Sequence, residues 1–315
     1  MHPIKRAARW LFLALLVATL AATATASEPV TLRVMSYNLW HGGDAGKQPL
    51  GQTIEVIRKA RADVVGLQET AGYPPQEPRP DNAQKLAKAL GWHYLDQGDR
   101  TGIISRWPIV ANSPRKWGAA IELPSGRRTW LFNAHLAHAP YQPYQLLGIE
   151  YEKAPFLKEA AEALAAAKSA RGPQVERLLA EVRDVVEPGT PAFITGDFNE
   201  PSHQDWTVAA ARAKCCPLSV DWPSTKTVVD ADFVDAYRQT HPDETRHRGS
   251  TWTPLTSVDD PKDRHDRIDF VFANAAAKVV SVEIVGESAR FADLVVDPYP
   301  SDHRAVVATV EIGKP

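Results

Sequence analysis

An acidic and an amide side chain follow an apolar run in the stretch ITGDFNEPSHQDW, residues 194–206. The two side chains, Asp197 and Asn199, stand two positions apart and come directly after Gly196. Packing alone does not explain a carboxylate and a carboxamide at the end of a buried strand, because polar groups lose hydration on burial. Asp197 can orient and deprotonate a water molecule, and Asn199 can donate to a phosphoryl oxygen. The pair therefore predicts hydrolysis by an activated water.

Polar residues also interrupt or follow several other apolar runs. These residues are Asn38 in VMSYNL, Glu69 after VVGLQ, His135 in LFNAHL, Asp269 in RIDFVF, and Asp302 and His303 before RAVV. Each one alone is more often a turn residue, a cap or a satisfied polar group. A carboxylate between Ile268 and Phe270 is harder to explain, because a buried carboxylate needs a partner. Ligand sites of α/β proteins form at strand ends, so we interpret the set as one site.

The residue types in this set fit one kind of chemistry. Three of them offer hard oxygen ligands that suit Mg²⁺, and also Mn²⁺ or Ca²⁺, rather than zinc. They are Asn38 through its carbonyl, Glu69 and Asp302. His135 can donate to phosphoryl oxygens, and Asp269 can hold His303 in one tautomer and stabilise its cation. One metal ion, one base and several donors around an anion predict metal-assisted hydrolysis of a phosphate ester.

Strand-like and helix-like segments are interspersed along the chain. Several strand-like runs are apolar throughout, which is typical of sheets covered by helices, and the pattern predicts an α/β fold. The predicted strands are 31–39, 63–69, 102–110, 127–136, 191–199, 266–274 and 303–312. The predicted helices are 52–62, 80–91 and 155–187, the last one broken near Gly172 and Pro173 because proline removes a helical hydrogen bond.

Residues 1–26 have the pattern of a signal peptide. A positively charged start is followed by an apolar run and an Ala-x-Ala cleavage pattern. These parts are Lys5, Arg6 and Arg9, then residues 10–22, then residues 24–26. The apolar run is too short for a good membrane span, and an uncleaved anchor is the minor alternative. We expect a protein exported to the periplasm or secreted, without a stable membrane anchor after cleavage, whose domain covers residues 27–315.

Charge and cysteine content limit the remaining classes. Removing residues 1–26 takes away three positive charges and no acidic ones, so the formal net charge falls from −2 to −5. A nucleic-acid binder usually shows a global basic footprint, which this chain lacks. The two cysteines, Cys215 and Cys216, are neighbours, and a bridge between neighbours is strained. We expect mostly buried thiols rather than a disulfide framework or a metal site.

Eight stretches resemble the endonuclease/exonuclease/phosphatase superfamily, the DNase I-like fold. They follow the order of that family and span nearly the whole chain after residue 26. They are MSYNLW (35–40), DVVGLQE (63–69), GIISRWPI (102–109), NAHL (133–136), GDFN (196–199), TWTP (251–254), DRIDFVF (266–272) and SDHRAV (301–306). The succession of GDFN, RIDF and SDH is the specific part of this resemblance.

The resemblance implies a four-layer αββα sandwich with the site at one edge of the two packed sheets. The implied roles are metal binding for Asn38 and Glu69, and metal binding or orientation for Asp302. Asp197 would activate the water, Asn199 and His135 would contact the scissile phosphate, and Asp269 would pair with His303. Whether His303 acts as a base or as a phosphate clamp stays open. Many nucleases of the family carry an active-site tyrosine, for which Tyr73 and Tyr94 are the candidates.

The segment 139–172 is a long addition after NAHL. We interpret it as a lid or a substrate wall, with surface decoration as an equal alternative. Tyr141 and Tyr144, together with Trp40, are expected to line a wall for a sugar or a headgroup. Arg267, the first residue of RIDF, is expected to help hold an anionic substrate.

The sequence thus predicts an exported, monomeric, Mg²⁺-dependent phosphoesterase, first of all a phosphodiesterase, that acts on a small or medium phosphoester. The net charge and the segment 139–172 disfavour duplex DNA, because the segment would narrow an open groove. The alternatives are a secreted endonuclease for DNA or RNA, a sphingomyelinase-like hydrolase of phospholipid headgroups, and a non-catalytic binding protein of the same fold.

Overall fold

A computed structural model describes residues 29–74 and 76–313. The predicted signal peptide, residues 1–26, lies outside this part of the chain. The strands of the described residues are β1 (Val30–Asn38), β2 (Val64–Gln68), β3 (His93–Gly98), β4 (Thr101–Ser105), β5 (Ile109–Asn112), β6 (Gly118–Glu122), β7 (Arg128–His135), β8 (Ala192–Asp197), β9 (Phe233–Asp235), β10 (Asp269–Asn274), β11 (Lys278–Gly286), β12 (Leu294–Val295) and β13 (Ala305–Ile312). The helices are α1 (Leu50–Lys59), α2 (Asn82–Leu90), α3 (Gln142–Leu147), α4 (Ala160–Val185), α5 (Val208–Arg212), α6 (Pro223–Val229) and α7 (Ala236–Thr240).

The strands form two mixed sheets. The first sheet has seven strands in the order β12-β11-β13-β1-β2-β4-β3, and the second has six in the order β5-β6-β7-β8-β10-β9. Strands β1 and β2 run parallel, and so do β7 and β8. Parallel neighbours end at the same edge of a sheet, so each sheet brings the carboxyl ends of two central strands together.

Three apolar layers hold the two sheets and their helices together. The middle layer lies between the sheets and includes Leu32 and Val64 from the first and Phe193 from the second. The outer face of the first sheet packs on α1 and α2 through residues such as Ile57. The outer face of the second sheet packs on α4 and α6 through residues such as Leu178. The predicted four-layer αββα sandwich is confirmed.

A polar patch interrupts the middle layer near the site. Gly66 lies on β2 where the sheets approach closely, and a Cβ at this position would overlap with the Thr195 hydroxyl of β8. Gln68 donates to Asn133 Oδ1 at 2.6 Å across the same gap. The missing side chain at Gly66 therefore lets the strand ends of the two sheets lie side by side.

The helix at residues 80–91 forms as the sequence predicts. The Asp81 side chain accepts a hydrogen bond from the Gln84 amide at 3.0 Å, and Gly91 closes the helix in the left-handed conformation. Among the described residues, no helix has both the length and the apolar character that crossing a membrane requires.

Two predicted elements differ from the structure. The helix predicted at 155–187 begins only at Ala160 and runs unbroken through Pro173, because packing of its buried face outweighs the local preference of one residue. The strand predicted at 102–110 is two strands, β4 and β5, that belong to different sheets. The chain passes from one sheet to the other at residues 106–108, which end in a proline that cannot donate to a ladder.

Candidate active site

The strand ends of both sheets bring the predicted residues together. In the second sheet His135 is paired in register with Asp197, and Asp197 with Asp269, so the three residues form one row across β7, β8 and β10. In the first sheet Asn38 ends β1, and Glu69 directly follows β2. Asn38 Nδ2 lies 3.0 Å from Asp197 Oδ2 and joins the two sheets.

Asn38 is a buried hub between two acids. Its Nδ2 also donates to Glu69 Oε1 at 3.3 Å, while its Oδ1 accepts the backbone N–H of Trp40 at 2.9 Å. The Ser301 hydroxyl donates to the main-chain carbonyl of Asn38 at 2.7 Å, and this bond connects β1 to the loop that carries Asp302. This geometry favours a role for Asn38 in orienting the two carboxylates. Direct metal ligation through its side-chain oxygen stays a prediction.

Asp269 and His303 form a buried pair. His303 Nδ1 lies 2.9 Å from Asp269 Oδ2, and His303 Nε2 faces Asp197 Oδ2 at 3.8 Å and Asp302 Oδ1 at 4.0 Å. Burial alone would lower the pKa of His303, but the carboxylates of Asp269, Asp197 and Asp302 raise it well above its usual value. The three acids thus favour the cationic imidazole, and its Nε2 lines the pocket.

The pKa values of Asp302 and Glu69 shift in opposite directions. Burial raises the pKa of Asp302 to about 6; Glu69 and Asp197 add to the rise, and His303 opposes it. Burial would also raise the pKa of Glu69, but His135 and His303 and hydrogen bonds from Asn38 and a backbone amide outweigh it and lower the value. Asp302 Oδ1 has no hydrogen-bond donor among the residues that the structure describes.

Asn199 and His135 lie beside Asp197. The backbone amide of Asn199 donates to Asp197 Oδ1 at 2.9 Å, and its Nδ2 donates to the Leu136 carbonyl at 3.1 Å. An amide nitrogen carries two protons, so the second one stays free to meet a ligand. His135 Nε2 lies 3.5 Å from Asp197 Oδ2. The three side chains thus surround one small volume at the end of β8.

A cavity of about 590 Å³ opens onto these residues. Seven residues that the sequence predicts for the site line it: Trp40, Glu69, His135, Asp197, Asn199, Asp302 and His303. Its other lining residues are His41, Ala71, Asp99, Arg100, His138, Tyr151 and Trp252. Trp252 lies in the TWTP stretch, which was the available signal for it. Arg100 and His138 lie in loops without a motif, so no pattern in the sequence indicates them.

Arg267 is not a substrate-binding residue. Its side chain is 1% exposed and bonds to Asp205 and Asp235, at 2.9 and 2.7 Å from Nη2. A guanidinium enclosed in this way has no donor left for a substrate anion. The prediction of Arg267 as an anion-binding residue is therefore wrong.

Tyr141 and Tyr144 do not line the cavity; they lie behind Tyr151 and Trp252, which form this wall of the pocket. The Tyr141 hydroxyl donates to Asp266 Oδ2 at 2.9 Å, and the Tyr144 hydroxyl donates to Asp263. Both rings are buried and pack against Trp252. The expectation that they line the wall is corrected: Tyr151, whose ring lies 5.7 Å from that of Tyr144, lines the pocket instead.

The two candidates for an active-site tyrosine lie elsewhere. Tyr94 donates to Asp81 Oδ2 at 2.6 Å at the start of α2. Tyr73 is 45% exposed, and its ring packs against His41 at 5.4 Å. Tyr151 is the tyrosine of the described chain that lines the cavity. The segment that contains it therefore forms a wall, as one of the sequence alternatives expected.

One group of possible metal ligands differs from the predicted set. Ligand atoms of Asp197, Asp269 and His303 lie within 4.8 Å of one another. His303 Nδ1 is already bonded to Asp269, and a protonated imidazole has no lone pair for a metal. We therefore prefer the oxygen atoms of Glu69 and Asp302 as the place for a divalent cation.

The family of the chain follows from a sequence comparison. The profile of the Endonuclease/Exonuclease/phosphatase family matches residues 35–303, and the chain belongs to this family. Members of the family are typically phosphoester hydrolases. The matched range contains all eight catalytic and metal residues that the sequence predicts.

Known proteins resemble the chain at moderate or low identity. An uncharacterized protein of Caenorhabditis elegans is 27% identical, with 95% of this chain and 97% of that protein covered. The crystal structure of an endonuclease/exonuclease/phosphatase from Bacteroides vulgatus has a TM-score of 0.56 at 17% identity and covers 90% and 99% of the two chains. An AP endonuclease from Archaeoglobus fulgidus has a TM-score of 0.51 at 17% identity, covering 88% and 98%. The two structures show the shared fold.

Proposed function

We propose that the protein is an exported, divalent-metal-dependent phosphodiesterase that hydrolyses a small or medium phosphoester by attack of water. One observation carries the proposal. The carboxylates of Glu69, Asp197 and Asp302 line one cavity, and that of Asp269 lies behind them, bonded to His303. No Lys or Arg of the described residues forms an ion pair with these four acids. Such an excess of buried negative charge calls for a cation and provides a base beside an anion-binding surface.

The residues fit a hard divalent cation such as Mg²⁺, with Mn²⁺ and Ca²⁺ as alternatives. Glu69 is held in place by Asn38 and by the His41 amide, and Asp302 presents an oxygen without a donor. Carboxylate oxygens are the ligands these ions prefer, and Mg²⁺ keeps several waters, so a sparse set suffices. When bound, the ion neutralises phosphoryl oxygen charge and orients the ester.

Asp197 is the proposed base. It is buried, accepts hydrogen bonds from the Asn199 and Asn38 nitrogens, and ends a central strand, so its carboxylate is fixed in one orientation. The acids around His303 raise its pKa, which favours a protonated imidazole over one that accepts a proton. We therefore assign His303 to clamp a phosphoryl oxygen through Nε2–H, with Asp269 as the residue that orients it.

Asn199 and His135 complete the anion-binding surface. Both lie within reach of Asp197, and each can offer an N–H to the phosphoryl group. Asp197 would then take the proton of the attacking water while these donors hold the group that is attacked. Fixed donors of this kind cost no reorganisation during the reaction.

The shape of the cavity supports a small or medium substrate. Its volume of about 590 Å³ lies in the range of sites for small molecules. Trp40, Tyr151 and Trp252 offer aromatic faces, while Arg100 offers a positive charge at the rim. Export rests on the pattern of residues 1–26, and we propose a monomer that begins near Ser27.

The test is an assay of purified protein that begins at Ser27. Bis-nitrophenyl phosphate, nitrophenyl phosphate and supercoiled plasmid are compared with Mg²⁺, Mn²⁺ and Ca²⁺ at physiological salt. We expect the diester to be preferred, a chelator to abolish activity, and Mg²⁺ or Mn²⁺ to restore it. Full activity in the chelator contradicts the metal, and efficient cutting of plasmid with neglect of the small diester favours the secreted nuclease.

A matched variant separates the metal site from the fold. Glu69→Gln keeps the shape of the side chain but removes its charge, so metal affinity should fall by about tenfold or more while the unfolding midpoint changes little. Glu181→Gln is the control, because Glu181 is a buried carboxylate of α4 that accepts the Arg115 amide, and neither residue lines the cavity. A Glu69→Gln protein with wild-type metal affinity would contradict the assignment.

A further inference from the structure

An arginine and a glutamate lie completely buried behind the pocket, and burial raises the pKa of Glu200 to about 7 although Arg171 opposes the rise. Arg171 of α4 and Glu200 of the loop after β8 are each 0% exposed, and Arg171 Nη1 lies 3.7 Å from Glu200 Oε2. Burying two charges is expensive, and an apolar pair of similar volume is often as stable or more stable. A pair in this position therefore calls for a reason other than stability.

Arg171 reaches toward the wall of the pocket. Its Nη1 donates to Gln142 Oε1 at 2.7 Å, and its Nη2 donates to the Pro140 carbonyl at 2.9 Å. Gln142 begins α3, and further along this helix Gln145 Nε2 donates to the Pro155 carbonyl at 2.6 Å. Tyr151 lies in the loop between these anchor points. The guanidinium thus fixes the base of the wall.

Glu200 belongs to the loop that carries Asn199, and its side chain extends from that loop to α6 and α4. It directly follows Asn199, and its Oε1 accepts the backbone amide of Ser224 at 2.7 Å. The same α4 helix places Gln174 three residues after Arg171, on the same face, where Gln174 Oε1 accepts the Ala137 amide at 2.8 Å. Helix α4 therefore holds both strand ends that carry the proposed phosphate contacts.

Arg171, Glu200 and the residues bonded to them leave some of their hydrogen-bonding atoms without a partner in the part of the chain that the structure describes. Four buried atoms have no hydrogen-bond partner among the described residues: Arg171 Nε, Glu200 Oε2, Gln142 Nε2 and Ser224 Oγ. Unsatisfied buried polar groups destabilise a fold, and functional sites are where such violations are expected. The position of Arg171 and Glu200 therefore points to a role in holding the two segments that they connect, the loop of Asn199 and the segment of Tyr151.

We propose that Arg171 and Glu200 are positioning residues that fix the spacing between the loop of Asn199 and the wall of Tyr151. The pair does not touch the substrate. It sets how far the phosphate-binding donors stand from the aromatic surface that holds the rest of the ester, and this effect on turnover rests on the proposed phosphodiesterase function. Displacement of a catalytic group by about 1 Å is enough to lower a rate by about a hundredfold.

The main experiment compares Glu200→Gln with Glu181→Gln in protein that begins at Ser27. Both changes remove a fully buried carboxylate, but Glu181 accepts the Arg115 amide at 3.0 Å and forms no bond to any described residue that lines the cavity. We expect Glu200→Gln to lower kcat toward bis-nitrophenyl phosphate by about tenfold or more, with metal affinity unchanged. Glu181→Gln should leave kcat of the folded protein within about twofold of wild type.

Hydrogen exchange of the backbone gives a readout that does not need activity. In Glu200→Gln, exchange should rise together in peptides covering 139–152 and 197–205. In Glu181→Gln, exchange should rise near 113–118 and not at the site. Arg171→Met with Glu200→Gln removes both charges at once, so it avoids an unpaired buried charge and keeps the test available if a single variant does not fold.

The outcomes are distinct. Coupled exchange of the two segments and a low kcat in folded protein support the positioning role. Wild-type kcat in folded Glu200→Gln, or in the folded double variant, overturns it, and so does increased exchange in only one of the two segments. A wild-type protein that hydrolyses no phosphoester contradicts the proposed function, while the exchange data still decide whether the pair couples the two segments.

Discussion

Two clusters of largely buried charged side chains differ in how their negative charges are compensated. The arginine cluster consists of Asp205, Asp235, Arg238 and Arg267. The site cluster consists of Glu69, Asp197, Asp269, Asp302 and His303. Arg267 and Asp269 are only two residues apart in the chain, yet one belongs to each cluster.

The arginine cluster is complete. Arg267 bonds to Asp205 through Nε and Nη2 at 3.0 and 2.9 Å and to Asp235 through Nη1 and Nη2 at 3.0 and 2.7 Å. Burial would raise the pKa of Asp205, but Arg267 and Arg238 lower it below its ordinary value. Two acids face two arginines, so nothing in the cluster calls for a further ion.

The site cluster is incomplete. Asp197, Asp269 and Asp302 all face the His303 imidazole, and Asp269 Oδ1 and Asp302 Oδ1 have no donor in the described part of the chain. Buried charges are common to both clusters, so burial does not distinguish them. The distinguishing property is whether the bonds are complete: complete bonds indicate support of the fold, and missing ones indicate a place for a ligand.

The largest expected effect is that of Asp197→Asn on turnover. Removing the proposed base while keeping the shape should lower kcat by at least about a hundredfold. The unfolding midpoint should stay the same or rise, because a surplus negative charge is removed. Steady-state kinetics and thermal unfolding measure both quantities. An active Asp197→Asn protein would end the assignment of the base.

The matched change in the arginine cluster should act on stability instead. Asp205→Asn removes one of the two carboxylates that pair with Arg267 and Arg238. The unfolding free energy should therefore fall by about 3–5 kcal/mol. The kcat of the folded fraction should change by less than about threefold. Urea unfolding with active-site titration measures the two effects. A large loss of kcat in folded protein would erase the difference between the clusters.

The pairing of Asp269 with His303 should appear as coupling. His303→Ala should lower kcat by about a hundredfold, and Asp269→Asn should act through the same imidazole. The double variant should lose less than the sum of the two single losses, with a coupling of about 1–3 kcal/mol. A double-mutant cycle on kcat provides the number. Strict additivity would show that the two residues act separately.

The smallest effect is a dependence of stability on pH with opposite sign in the two clusters. The pKa of Asp302 is raised to about 6 in metal-free protein, so its stabilising contribution is present below about pH 4 and is lost as the pH rises through about 6. Asp302→Asn should thus raise the unfolding free energy by roughly 1–3 kcal/mol at pH 8 and hardly at all at pH 4.

The Asp205 carboxylate should behave in the reverse way. Because its pKa is lowered, its stabilising contribution is present above about pH 4 and is lost as the pH falls further. Urea unfolding in a chelator from pH 3 to 8 compares Asp302→Asn with Asp205→Asn. Equal signs in the two variants would mean that the clusters have the same electrostatic balance.

The sequence predicts where most of the proposed site residues lie, but it does not predict the direction of several side chains around them. The strand ends fix where Asp197, His135 and Asp269 lie, because register in a sheet determines which residues are neighbours. The motifs and the apolar runs therefore predict the fold and the row of polar residues. The roles of these residues in catalysis stay predictions until they are measured.

The errors occur where a partner distant in sequence decides the direction of a side chain. Tyr141 and Tyr144 are buried because Asp266 and Asp263 accept their hydroxyls, more than a hundred residues later in the chain. Arg267 turns inward because two acids meet it from other segments. Neither a period nor a motif encodes such pairings, so the sequence alone does not distinguish a pocket wall from its support.

The wall of the pocket is formed by a stretch of chain whose sequence can vary without changing the proposed catalytic residues. Its base is tied to α4 through Pro140 and Gln142, and α4 itself begins only at Ala160. The intervening stretch, residues 148–158, carries Tyr151 to the cavity but contributes none of the proposed base, metal ligands or phosphate donors. Exchange or resizing of this stretch would leave those residues in place. Substrate range could therefore drift through this stretch among descendants of the chain while the hydrolytic chemistry is inherited intact.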